Sequence, residues 1–101
     1  MEKIIEKENV KEYYIDGRLS LTIIELGNNK FIVQNKDTKL IGYCKPIDDY
    51  ETQIELEGNY TIGKNGRLYK TKKLLDHNAM WFSYILQQKG YIRKAKAVEQ
   101  N

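Results

Sequence analysis

Apolar and polar positions alternate with a period of two through most of the first seventy residues, then switch to spacings of three and four. Val10-Lys11-Glu12-Tyr13-Tyr14-Ile15 runs into Asp16-Gly17 and returns as Arg18-Leu19-Ser20-Leu21-Thr22-Ile23. Asp-Gly supplies the two positive-φ positions of a type I′ turn, whose twist matches paired strands, so a β-hairpin is predicted here. Gly27-Asn28-Asn29 predicts the next turn, Lys30 to Gln34 a strand, Asn35-Lys36-Asp37 a turn, and Thr38 to Tyr43 a fourth strand. Pro46 and the acidic stretch Asp48-Asp49-Tyr50-Glu51 read as a loop. Strands are expected again at 52–57, 60–62 and 67–71, broken at Gly58-Asn59 and at the hairpin signal Asn65-Gly66.

From Lys73 to Lys89 the residues Leu74, Leu75, Asn78, Trp81, Phe82, Ile85 and Leu86 form the apolar stripe of a helix. Gly90 stands where a C-terminal glycine ends such a helix, and Thr71 or Asp76 is its candidate N-cap. Residues 91–95 read as a last strand or a second short helix, residues 1–7 as a short helix or a frayed arm, and 97–101 as a frayed end. The expectation is one small α+β domain: a meander of five to seven short antiparallel strands, open or curled towards a barrel, with a C-terminal helix across one face. Leu19, Leu21, Ile23, Phe31, Val33, Ile54 and Leu56 are expected to face Leu75, Trp81, Phe82 and Ile85.

Composition narrows the function classes. The chain has 101 residues, 31% of them charged, and a single cysteine, Cys44, which excludes an internal disulfide framework. No apolar run approaches the roughly 18 residues of a membrane span, and the acidic N-terminus is unlike a signal peptide, so a cytoplasmic protein is expected. Ile, Lys, Asn and Tyr number 12, 14, 8 and 8, the residues of A+T-rich codons. Such a composition fits an accessory product of a phage or mobile element, a type that works by occupying a host protein or small ligand.

Charge is distributed unevenly. Residues 1–60 hold eight basic and twelve acidic side chains; residues 61–101 hold nine basic and two acidic. An asymmetry of this kind points to nucleic acid or another acidic partner. In the basic third, Arg67, Lys70, Lys72 and Lys73 follow the second hairpin, and Arg93, Lys94 and Lys96 follow the helix, with Tyr69 and Tyr91 among them. Cations neutralise phosphates and aromatic rings stack on unpaired bases, so these nine residues are the candidate nucleic-acid site. Residues 85–94, Ile-Leu-Gln-Gln-Lys-Gly-Tyr-Ile-Arg-Lys, resemble the helix-to-strand junction of winged-helix DNA-binding domains; that fold would place further helices where this chain has strands.

Catalytic chemistry has little to build on. His77, the one histidine, sits beside Asp76; Cys44 ends an apolar strand; Asp48, Asp49 and Glu51 lack the order of a calcium loop. The reading is therefore a non-enzymatic binding module, with no cofactor or metal and with nucleic acid as partner. The alternative is a protein-interaction or inhibitor module using Met80, Trp81 and Tyr84, whose density exceeds what one helix face can bury; a homodimer through that helix would enlarge a small core.

Overall fold

The computed structural model describes residues 1–71 and 75–94, with the side chains of 75 and 76 left aside. Seven strands run in chain order: β1 (Glu2–Lys7), β2 (Val10–Ile15), β3 (Arg18–Gly27), β4 (Lys30–Gln34), β5 (Thr38–Pro46), β6 (Thr52–Ile62) and β7 (Leu68–Lys70). Each pairs antiparallel with the next, in the spatial order β1 to β7, and the sheet does not close. One helix follows, α1 (Leu75–Gln88). The α+β meander is thus present, as an open sheet of seven strands.

Turn chemistry explains the register. Asp16 and Gly17 have φ of 51° and 79°, and Asn28 and Asn29 have 53° and 62°, so both two-residue turns carry the positive φ pair of a type I′ hairpin. The Lys64-Asn65-Gly66 turn is of another kind: Gly66 N–H donates to the Gly63 carbonyl, Gly63 N–H to the Arg67 carbonyl, and only Gly66 is left-handed. That is the three-residue loop ending in a glycine bulge.

The core lies on the sheet face that α1 covers. Tyr13, Leu21, Ile23, Phe31, Val33, Leu40 and Cys44 from five-residue-or-longer strands meet Phe82, Leu86 and Ile92 there. Phe82 and Leu86, four apart, are fully buried, each stabilising the fold by about 1.5–3 kcal/mol through apolar area removed from water. Trp81, Ile85, Ile54 and Leu56 pack around them, half-buried. The helix ends as Gly90 predicts: Gly90 has φ 83°, Tyr91 N–H donates to the Leu86 carbonyl at 2.9 Å, and Gly90 N–H to that of Gln87 at 3.2 Å. This is a Schellman turn, and it folds Tyr91 and Ile92 back onto the core.

Four expectations change. Residues 2–7 are neither helix nor arm but the edge strand β1, paired from Glu2–Ile15 to Lys7–Val10. β6 does not turn at Gly58-Asn59; it runs through, with Glu57 as an extra residue between the Ile41–Gly58 and Gly42–Leu56 pairs. Leu19 is 50% exposed, not core, because Ser20 bulges between the Tyr13–Leu21 and Tyr14–Leu19 pairs and turns Leu19 to the opposite face. Residues 91–94 form neither strand nor helix. The N-cap expected at Thr71 precedes α1 across residues outside those described, and Asp76 lies within the first turn.

Candidate functional site

The end of the sheet formed by β5, β6 and β7 gathers Lys36, Lys39, Lys64, Arg67 and Lys70, five of the ten described cations that make no ion pair. Arg67, Tyr69 and Lys70 are exposed on and beside β7, and Tyr69 keeps 51% of its surface. Its hydroxyl accepts a hydrogen bond from Asn65 Nδ2 at 3.3 Å, and its ring lies over Gly63, where a Cβ would clash. On the face away from the helix, register places Lys39 opposite Tyr60 and Tyr60 opposite Lys70, a cation–aromatic–cation row across three strands. On the helix face the same strands place Thr38 opposite Thr61 and Thr61 opposite Tyr69. Lys36 and Lys64 line a shared depression with Asp37. Among the described residues, Lys36, Lys39, Lys64, Arg67 and Lys70 make no ion pair.

Between this end and the start of α1 lies a cleft of about 260 Å³. Thr61 and Thr71, whose hydroxyls bond each other, form one side, and Asn35 and Asp37 of the β4–β5 connection with Thr38 at the start of β5 form another. Trp81, His77 and Asn78 of α1 close it. Asn78 is buried, and its Nδ2 donates to Asn59 Oδ1 at 2.6 Å. Asn59 Nδ2 is buried with no partner among the described residues. An unmatched amide of this kind costs about 1–3 kcal/mol.

The remaining predicted residues lie elsewhere. Arg93 stands at the other end of the helix, about 21 Å away by helix length, and its Nη1 reaches Asp49 Oδ1 at 3.4 Å. Lys94 lines a hollow with Tyr84, Gln87 and Gln88. Tyr91 is packed rather than presented: its ring meets Phe31 edge-on at 5.7 Å between centroids, and the Lys11 ammonium sits 5.2 Å from its centre. Burial, with Tyr13, Glu25 and Glu6 nearby, pushes the Tyr91 phenol well above its ordinary range. The basic third therefore does not form one patch; the structure divides it between two ends. Lys72, Lys73 and Lys96 lie outside the described residues. Met80 and Tyr84 are 70% and 58% exposed on the outer side of α1, whereas Trp81 leans on the core.

Sequence reasoning overlooked Lys36, Lys39 and the Asn59–Asn78 pair. The signal for the pair was present: Asn78 occupies a buried position of the helical stripe, where a polar residue demands a partner.

The other chemical groups have structural employment. Cys44 is buried in the core, and burial pushes its thiol up despite a hydrogen bond from Ser83. Asp48 accepts the backbone N–H groups of Tyr50 and Glu51 at 2.7 and 2.9 Å, which holds its carboxyl below the usual range. Among the described residues no three potential ligands gather for a metal ion, and no helix is long and apolar enough to cross a membrane.

Fold and site together define an α+β protein whose open antiparallel meander carries one helix on one face and a cationic, aromatic margin at the β7 end. In comparisons with known proteins, no family model, no curated protein and no solved structure matches the chain.

Proposed function

We propose that the chain is a cytoplasmic, non-enzymatic module that binds nucleic acid along the β5–β7 end of its sheet. The observation that carries this reading is the gathering, around Tyr60 and Tyr69, of Lys36, Lys39, Lys64, Arg67 and Lys70, none of which makes an ion pair among the described residues, whereas Lys11, Lys30 and Lys89 are held by carboxylates. Cations without intramolecular partners are free to neutralise phosphates, and the exposed Tyr69 ring offers a stacking surface. Five phosphate contacts on a single strand would weaken binding about 100-fold between about 50 and 200 mM salt. Fluorescence anisotropy of labelled oligonucleotides at the two concentrations measures this directly; affinity indifferent to salt refutes the reading. Arg93 and Lys94, at the far end, are expected to contribute little, so Arg67→Glu with Lys70→Glu is the informative double variant.

A second reading has its own observation. Met80 and Tyr84 project from one side of α1 without cover, which favours a protein-interaction or inhibitor role. Replacing both by glutamate should then abolish association measured by sedimentation velocity while the far-UV circular dichroism stays unchanged.

A further inference from the structure

We infer that the cleft beneath Trp81 is a pocket for a single unstacked nucleobase, and that the strand held by the β5–β7 margin inserts one base there. The inference rests on the nucleic-acid reading and adds to it the part of the ligand that enters the fold. Three features point to a base. Among the described residues the cleft, about 260 Å³, has one aromatic wall, Trp81, and otherwise amide, hydroxyl, imidazole and carboxylate groups. A planar heterocycle carrying both donors and acceptors on its edge matches such a lining: the ring lies on the indole while its edge faces amides.

The second feature is the buried amide pair behind the lining. Asn78 lines the cleft and spends its Nδ2 on Asn59, whose own Nδ2 is left without an acceptor. A base carbonyl or ring nitrogen bonding to Asn78 would allow the pair to re-form with that donor satisfied. The third feature is the rim. Lys36 and Lys64 line the adjoining depression and share Asp37 with the cleft, so a phosphate chain entering beside the base meets cations. A neutral saccharide would also suit an aromatic wall and amides, but it would have no use for that rim. The base is therefore the better match.

Trp81 is the only tryptophan, so its fluorescence reports on the cleft and the edge of the core it leans on. The experiment titrates the protein with a single-stranded decanucleotide, with an abasic strand of the same length and charge, and with nucleoside monophosphates. The base-bearing strand is expected to quench Trp81 and to bind at least ten-fold more tightly than the abasic strand. Asn78→Leu should remove that preference and keep the salt-dependent binding that both strands share. Should this variant fail to fold, the comparison of strands on the unaltered protein still decides. Equal affinities with no quenching overturn the base pocket and leave backbone binding intact. Quenching by a mononucleotide with neither strand bound supports the pocket and overturns the strand reading. No response to any of the three overturns both.

Discussion

The two ends of the sheet use the same residue types to opposite effect. Over β2–β4, where the helix finishes, lysine and tyrosine are spent inwardly: Lys89 lies 4.7 Å from the centre of the Tyr13 ring and 3.8 Å from Glu2, Lys11 covers Tyr91, and Lys30 pairs with Glu57 at 2.7 Å. At the β7 end Lys36, Lys39, Lys64 and Lys70 make no ion pair and Tyr69 keeps half of its surface exposed, beside a cleft with an unmatched amide. The difference teaches that a basic, tyrosine-rich composition does not by itself mark a binding surface. A lysine already serving a carboxylate and a ring is part of the fold. One with neither is available to a partner, and the two cases can be separated by substitution.

The largest expected effect is on the packed end. Phe82→Ala removes a fully buried ring from the centre of the core and should cost about 3–5 kcal/mol, measured by urea denaturation. That is a large share of the stability of a domain this small, and partial unfolding in buffer would agree with it. A loss below about 1 kcal/mol would mean that the helix is not held as described.

At the open end the effect should fall on binding alone. Arg67→Glu with Lys70→Glu reverses two exposed charges and should weaken oligonucleotide affinity roughly 100-fold at low salt, taking about tenfold for each reversal. The denaturation midpoint should stay within experimental error, because neither side chain has an ion-pair partner to lose. Unfolding of this variant, or affinity retained in it, would each dissolve the contrast between the two ends.

A smaller effect tests the packed end again. Lys89→Met keeps the aliphatic stem over Tyr13 but removes the ammonium from the ring and from Glu2. The partly exposed cation–π contact and ion pair together are worth about 1 kcal/mol, so a modest drop in stability with unchanged nucleic-acid affinity is expected. A fall in affinity would show that the basic character of the whole chain, and not the β7 margin, does the binding.

How much of this could be read from the chain depended on how local each determinant is. The Asp16-Gly17 hairpin and the helix stop at Gly90 are set by two or three adjacent residues, and both are where the pattern puts them. Leu19 misled because a bulge at Ser20 is a property of two strands, not of one. Gly58-Asn59 looks like a turn but is strand, since the missing Cβ makes room for the Tyr60 ring beside Ile41. At Gly42 a Cβ would strike the Glu55 carbonyl and lie 2.9 Å from Leu56 Cα, a closeness visible only once β5 and β6 are paired. The candidate site shows the same limit. Arg67, Tyr69 and Lys70 were legible as a run, but Lys36 and Lys39 come from an earlier hairpin within the acidic half, and only the meander brings them alongside. Conversely, Arg93 and Lys94 are close to the hairpin in charge pattern but separated from it by the length of a helix.

The smallest expected effect concerns the loop that ends the packed side, and it has a definite sign. Asp48 holds the 47–51 turn through two backbone N–H bonds and stands near Arg93, so its carboxyl is held below its ordinary value of 3.8. A carboxylate depressed in the folded state contributes stability above its unfolded value and loses it as pH falls through the lower, folded value. Between about pH 5 and 4 the loop should therefore be unchanged, and below that range the amides of Tyr50 and Glu51 should gain exchange relative to those of β6, as hydrogen exchange read by NMR would show. Asp48→Asn keeps an acceptor and removes the charge, so the variant's loop should no longer respond to acid. Oligonucleotide affinity of the variant should be unaffected, because the loop lies with Arg93 at the ends of β5 and β6 remote from the stretch of β6 that pairs with β7. Loss of binding in Asp48→Asn would mean that the far end takes part, and the division between a packed end and an open one would have to be redrawn around Arg93.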